Sequence, residues 1–348
     1  MKKRSLNRLE FMVTNECNLN CKYCYADSGT YGKQSVSMTK EIVDKTIKVI
    51  RNFEINEINE IVLFGGEPTL NLDLIDYICD IVEKEYSYPM IKMVSNLTIM
   101  NNQLIEILKR HNINLTVSLD GPKNLNDKQR IFKNSDNSTY DVVSRNLHIL
   151  NDLGIKVNSI EATYTNGMSK LITRKELAKF IFDNFDNVDT VQVCNEYNKF
   201  SDLSETEYIF FRNIDIDESE IEKLAYINLV DKNLNNSTDN ICNAGRKMIS
   251  IFSNGDIYPC HLFSKMHNPI ASVLDDSRIL REKYIKFINK YNYYLDIIRS
   301  NCANCNNDIA CNICPGALLN DTNDYDIVKN NLKLYCSNVN RKLKNISL

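Results

Sequence analysis

No run of apolar residues in this 348-residue chain approaches the length of a membrane span, so a spanning helix is excluded. The basic start Met1-Lys2-Lys3-Arg4 is followed by Leu6 to Val13, but Asn7, Arg8 and Glu10 break that stretch and leave no signal-peptide core. Charge of one sign is also missing. A formal net charge of −3 gives the chain no overall basic bias toward nucleic acid. Internal repeats and low-complexity segments are absent, although asparagine is abundant. These absences point to a cytoplasmic protein with neither a membrane nor a nucleic acid as partner.

Cysteine, by contrast, is plentiful. Twelve cysteines in a chain without an export signal are poor candidates for disulfides, which a reducing cytosol disfavours, so metal binding or catalysis is the better reading. Three lie at 17–24 and seven between Cys242 and Cys336; Cys79 and Cys194 stand alone. Cys79 falls within the apolar pattern Leu74-Ile75-Tyr77-Ile78-Ile81-Val82 and reads as a core residue. Cys194 ends a strand-like run and reads similarly. At 43% hydrophobic residues, the chain can bury a substantial core.

Residues 8–195 alternate between short β-rich runs and helical patterns. Strands are predicted at Leu9–Thr14, Ile61–Phe64, Met90–Ser95, Leu115–Leu119, and near 155–163 and 189–194. Helices are predicted after Thr39, which can cap Val43, Ile47 and Ile50, from about Leu72 to Tyr86, around Leu104, Ile107 and Leu108, along Val143, Leu147 and Leu150 up to Gly154, and near 173–185. Six β-α repeats in series imply a parallel sheet with right-handed crossovers. A complete barrel has eight, so six suggest an open one; a flat doubly wound sheet fits the same pattern. Residues 196–240 are rich in Asp and Glu. They read as a solvated helical connector or, alternatively, as a surface for a basic peptide.

Cys17, Cys21 and Cys24 lie within eight residues with no fourth cysteine nearby. A four-iron cubane has four corners, and three thiolates leave one iron open for chemistry. In parallel β/α barrels, active sites form at the C-terminal ends of the strands. The cysteine loop follows strand one, Gly65-Gly66-Glu67-Pro68 follows strand two, and Ser118 and Asp120 end strand four, so all three meet on one rim. Paired glycines allow close backbone approach, and Glu67 can accept hydrogen bonds from an ammonium group.

Together, Cys-x-x-x-Cys-x-x-Cys, Gly-Gly-Glu-Pro and Ser-Leu-Asp-Gly-Pro resemble the radical S-adenosylmethionine (SAM) superfamily over nearly the whole chain. The resemblance implies an α/β fold, a partial (β/α)6 barrel over residues 1–195, with the connector at 196–240 and a small irregular Cys-rich domain at 241–348 ending in a helix. It implies a [4Fe-4S] cluster on Cys17, Cys21 and Cys24 whose open iron chelates SAM, and a 5′-deoxyadenosyl radical as the hydrogen abstractor. It also implies cofactor contacts from Tyr23 through its backbone, Gly65, Gly66, Glu67, Pro68, Ser118 and Asp120, and from Arg145 to the SAM carboxylate.

The remaining cysteines resemble the SPASM extension of radical SAM enzymes that modify peptides. By that resemblance Cys302, Cys305, Cys311 and Cys336 ligate one auxiliary cluster, and Cys242, Cys260 and Cys314 belong to another. Two departures stand out: only two residues separate Cys311 from Cys314 where three are usual, and Met248 sits near a position that some members fill with cysteine. The first auxiliary cluster is thus left with three cysteines, and its open iron is a place for a substrate thiolate. Cys302-x-x-Cys305 and Cys311-x-x-Cys314 are also the pattern of a small zinc site. His261 follows Cys260 where sulfatase maturases carry an aspartate base, and thioether-forming maturases often have Cys-His there. This makes His261 a candidate acid/base residue, with a purely packing role as the alternative.

The expected activity is hydrogen abstraction from a Cys-rich precursor peptide and closure of an intramolecular thioether. The alternatives are formylglycine generation in a sulfatase, a C–C crosslink, or a non-enzymatic electron-transfer or zinc protein. The expected partners are the precursor peptide, a separate leader-recognition protein (only sixteen residues precede Cys17) and an external electron donor of flavodoxin or ferredoxin type.

Overall fold

The computed structural model describes residues 4–87, 89–196, 208–211, 242–265, 268–302, 329–334, 336 and 337. The order of elements is β1 (Arg4–Thr14), α1 (Lys40–Asn52), β2 (Ile55–Gly65), α2 (Leu72–Glu85), β3 (Met90–Ser95), α3 (Asn102–Arg110), β4 (Asn114–Ser118), α4 (Lys123–Gln129), α5 (Thr139–Asp152), β5 (Ser159–Tyr164), α6 (Arg174–Asn184), β6 (Val191–Asn195), β7 (Tyr208–Phe211), β8 (Met248–Ile251), β9 (Asp256–Tyr258), β10 (Ala271–Ser272) and α7 (Ser277–Cys302). β1 to β6 pair in sequence order and in parallel, as the six β-α repeats require.

Alternation sets which face each strand buries. In β5, Ile160 and Ala162 are fully buried on the helix side, while Ser159, Glu161 and Thr163 are only half-buried on the other face. Helix periodicity does the same on the outside. α1 turns Ile42, Val43, Ile47 and Ile50 to the sheet, and the Thr39 side chain accepts the Ile42 N–H as its cap. α6 starts with a full capping box from Thr173 and Glu176. The predicted core cysteine Cys79 is fully buried on α2.

The sheet does not close. Its ten strands run β10-β9-β8-β1-β2-β3-β4-β5-β6-β7, so the open barrel is confirmed. Both flanks differ from the expected plan. β8 adds in parallel to the free edge of β1, with Arg8 opposite Met248 and Phe11 opposite Ile251. β9 and β10 continue antiparallel. The start of the C-terminal region therefore extends the barrel sheet, because an unpaired strand edge is a template for another strand. On the far side β7 pairs antiparallel with β6. β7 falls inside the expected helical connector; apart from Glu196, the rest of 196–240 lies outside the described residues. α7 and the short α4 have no counterpart in the sequence reading.

Two apolar clusters result. The main one lies between the parallel strands and their helices. The second gathers Met12, Tyr31, Phe252, Tyr258 and Phe263 with Tyr291, Tyr294 and Leu295 of α7, so α7 and the β8–β9 hairpin pack against the entrance to the cysteine loop.

Candidate active site at the strand ends

The cysteine loop leaves β1 at Thr14, and Cys17, Cys21 and Cys24 are each half-buried. Backbone amides point at two of the sulfurs: Leu19 N–H to Cys17 Sγ at 3.4 Å and Ser28 N–H to Cys24 Sγ at 3.3 Å. A strap of residues 129–133 holds the loop from outside, through Asn20 N–H to the Ile131 carbonyl at 2.7 Å, Lys22 N–H to that of Gln129 at 3.0 Å, and Lys133 N–H to that of Asn18 at 3.0 Å.

From the other side, β2 presses its end into the loop. Gly66 N–H donates to the Thr14 carbonyl and Glu67 N–H to the Glu16 carbonyl, both at 2.8 Å. A Cβ on Gly65 would overlap the Thr14 carbonyl, and one on Gly66 the Glu16 carbonyl. The close approach expected of these glycines is thus made to the cysteine loop itself.

Glu67 is 1% exposed, and its carboxylate is already engaged. Oε1 accepts from Thr69 N–H at 3.1 Å, Thr69 Oγ1 at 2.6 Å and Ser95 Oγ at 2.7 Å; Oε2 accepts from Asn96 N–H at 2.7 Å. The side chain caps a 3-10 turn, Pro68–Asn71, with buried Pro68 at its start. Burial nonetheless pushes its pKa up. Glu67 therefore shapes the wall behind the glycines, and the groups of this motif left to meet an ammonium are backbone.

Asp120 is likewise occupied. Fully buried, it accepts from Tyr23 OH at 2.6 Å and Thr163 N–H at 3.0 Å, and lies 3.9 Å from Arg130 Nη1. Arg130 also donates to Tyr23 OH at 2.7 Å. Tyr23 stands between two of the three cysteines, so this buried triad ties the cysteine loop to the ends of β4 and β5. Burial raises the pKa of Asp120, and Arg130 and Tyr23 oppose that rise.

Ser118 remains half-buried on the inner face, beside its register partner Glu161. The Arg145 side chain is exposed on the second turn of α5, while its neighbour Asn146 is buried and donates to the Leu97 carbonyl at 2.9 Å. The arginine that reaches the cysteine loop is Arg130. The sequence reading missed it because only the fold brings the strap back over the loop.

Below the rim the inner face is polar. Arg8, Glu60 and Lys92 form ion pairs across β1, β2 and β3. Glu161 has the Cys194 thiol on Oε1 at 3.7 Å, and burial raises its pKa. His261 closes the opposite wall. Its ring lies 4.8 Å from that of Phe64 and 6.1 Å from that of Tyr25, and its Nδ1 is 3.1 Å from Glu10 Oε2. Glu10 and Glu161 also escaped the sequence reading; the available signal was a carboxylate flanked by buried apolar residues within a strand, Leu9 and Phe11 in β1 and Ile160 and Ala162 in β5.

Of the C-terminal cysteines, Cys260 is buried in the second apolar cluster, and Cys242 and Cys336 pack against it, as does Cys24. Cys302 ends α7. The side chain of Cys302 and all of Cys305, Cys311 and Cys314 lie outside the described residues.

The N-terminal triplet fits a cubane. Burial pushes the Cys17 thiol up to about 12 and raises Cys21 as well, so both need a cationic centre to remain thiolate. Among the described residues no three Cys, His, Asp or Glu side chains converge on a single ion. A cubane makes no such demand, because each thiolate meets a different iron.

Comparison with known proteins agrees. The Radical SAM superfamily model matches residues 11–181. The uncharacterised protein MJ0907 of Methanocaldococcus jannaschii is 30% identical over 174 residues, 49% of this chain and 55% of its own length, so the chain spans about half of that relative. The cysteine-type anaerobic sulfatase-maturating enzyme of Clostridium novyi is 25% identical over 341 residues, 89% of this chain and 85% of its own. The structure of native anSMEcpe with bound AdoMet and Cp18Cys peptide aligns with a TM-score of 0.64 at 17% identity, covering 99% of both chains, which is a likeness of fold. The cysteine loop, the glycine turn and strands β2 to β5 thus fall within the matched segment, and residues 11–181 of this chain are a radical SAM superfamily domain.

Proposed function

We propose that this chain is a radical SAM/SPASM enzyme that modifies a ribosomally made peptide, with intramolecular thioether formation as the reaction. One observation carries the reading. His261, directly after Cys260 of the C-terminal cysteine segment, packs its ring against Phe64 at the end of β2 and Tyr25 of the SAM-type cysteine loop, so the two cysteine regions meet there.

When bound, SAM on a four-iron cluster supplies a 5′-deoxyadenosyl radical that can take a hydrogen atom from carbon. Cys17, Cys21 and Cys24 would hold that cluster, with the backbone of Gly65 and Gly66 and the Ser118 hydroxyl lining the nucleotide side. Tyr23, Asp120 and Arg130 fix the loop. Phe64 and Tyr25 pack against the His261 ring and hold it in place. Thioether closure breaks one C–H and one S–H bond and forms C–S. The hydrogen atom leaves with deoxyadenosine, and the thiol proton and one electron leave separately. The C-terminal cysteines are the candidate electron outlet, and the outside reductant is a one-electron carrier.

A second reading is formylglycine generation from a peptide cysteine. The Clostridium novyi relative supports it, since the likeness runs over 341 residues and well past the radical SAM domain. His261 in place of the expected aspartate favours the thioether. The test is anaerobic turnover of the iron-loaded chain with dithionite, SAM and two peptides, a Cys-rich precursor and a sulfatase-type cysteine peptide. Thioether chemistry removes two hydrogens and one free thiol from the first. Replacement of sulfur by a carbonyl oxygen in the second would overturn that choice, and failure to release 5′-deoxyadenosine would overturn both.

A further inference from the structure

Glu10 sits in the middle of β1 between Leu9 and Phe11, both fully buried, and is itself 2% exposed. Its partners come almost entirely from the far end of the chain. Oε2 accepts from Ser250 Oγ on β8, faces His261 Nδ1 at 3.1 Å and is 3.3 Å from the backbone N of His261; Oε1 lies 3.7 Å from Arg8 Nη1. Burial would push this carboxyl up, but His261, Ser250 and Arg8 together hold it down to about 2, so it is a carboxylate at neutral pH.

The two nitrogens of an imidazole lie on opposite edges of the ring. With Nδ1 committed to Glu10, Nε2 faces away from β1. Phe64 beneath the ring directly precedes Gly65, and Tyr25 beside it directly follows Cys24. Cys260, 6% exposed, directly precedes His261. One buried carboxylate of β1 thus holds His261, whose ring in turn lies beside the cysteine loop and the end of β2.

We propose that Glu10 is a positioning residue that registers the Cys260–His261 segment against the cysteine loop and sets which edge of His261 faces away from β1. This rests on the reading above in one respect, that the C-terminal cysteines hold iron. Ser250 and His261 both approach the same oxygen. An amide at this position keeps the shape but makes that acceptor neutral and sets an NH2 group where Oε1 faces Arg8, so its hold on the segment weakens.

The test compares Glu10→Gln and Glu10→Asp in the full chain, alone and in a Cys17→Ala/Cys21→Ala/Cys24→Ala background where any remaining iron belongs to the C-terminal cysteines. Two readouts are taken: the EPR spectrum and midpoint potential of that iron, and hydrogen exchange by mass spectrometry. Glu10→Gln is expected to shift the potential and the g-values and to speed exchange at residues 250–261 at least tenfold. α3 and α6 should exchange as in the parent, which reports an intact fold, and Glu10→Asp should fall closer to the parent. An unchanged spectrum, potential and exchange rate would overturn the proposal. If the background holds no iron, the auxiliary-cluster reading fails, and exchange alone decides the role of Glu10; parental exchange at 250–261 then sinks it.

Discussion

Arg130 is 8% exposed and has two protein partners, Tyr23 OH at 2.7 Å and Asp120 at 3.9 Å. Removing a cation from such a pair strands the other charge, which typically costs about 3–5 kcal/mol, whereas replacing both members together is far milder. Arg130→Met should therefore lower unfolding stability by roughly that amount in urea titration, and Asp120→Asn/Arg130→Met should recover most of it. Gly66→Ala tests a different constraint. Its new Cβ would meet the Glu16 carbonyl, which has nowhere to go without moving Cys17. The expected outcome is loss of about four irons per chain in anaerobic iron analysis. Neither Arg130 nor Glu10 was legible in the sequence, because Tyr23, the partner of Arg130, is 107 residues away and His261, the partner of Glu10, is 251. The cysteine triplet and Gly-Gly-Glu-Pro were legible because their spacing is local. Arg145 was legible in its exposure. It lies about 200° around the helix from buried Val143, so the periodicity that marked Val143, Leu147 and Leu150 as inward already placed it outside.

At the scale of elements, the six parallel strands and the helices between them could be read from apolar periodicity, because each buries one face against a layer built from its immediate neighbours. α4 could not, since only Leu125 and Asn126 of its seven residues are buried and it carries almost no apolar stripe. Yet α4 sets the strap over the cysteine loop. Its hinge with α5 is Thr139, 1% exposed, whose hydroxyl donates to the Arg130 carbonyl at 2.6 Å and accepts from Asn126 Nδ2 at 2.9 Å. Thr139→Val keeps the shape and leaves the Arg130 carbonyl without this donor and one Asn126 N–H without its acceptor, at a cost of about 1–3 kcal/mol. The expected signature is a lower midpoint in urea, together with faster exchange of the Asn20 and Lys22 amides that the strap accepts. β8 to β10 escaped for another reason: they are two to four residues long, and β8, on which the other two build, pairs with a strand edge more than two hundred residues earlier.

Across the whole molecule, barrel and C-terminal segment share one sheet, and Glu10 makes that junction sensitive to acid. Its pKa falls from an ordinary 4.5 to about 2 on folding. A carboxyl lowered in this way stabilises the fold fully above about pH 4.5 and loses that contribution as pH drops toward 2, on the order of 3 kcal/mol in all. Stability measured against pH should show an acid limb in this window, and Glu10→Gln should flatten it. The same junction makes a stronger prediction about the isolated barrel. Residues 1–196 alone would leave the Arg8–Phe11 edge of β1 without β8 and would strip the buried faces of Met12 and Tyr31 of their cover from Phe252, Tyr258 and α7. An uncovered strand edge beside newly exposed aromatic surface recruits another chain. The truncated chain should therefore elute from size exclusion as dimers or larger species and take up iron poorly. A monomeric fragment that loads about four irons and cleaves SAM at the full-length rate would show instead that the shared sheet is dispensable and that the two cysteine regions act independently.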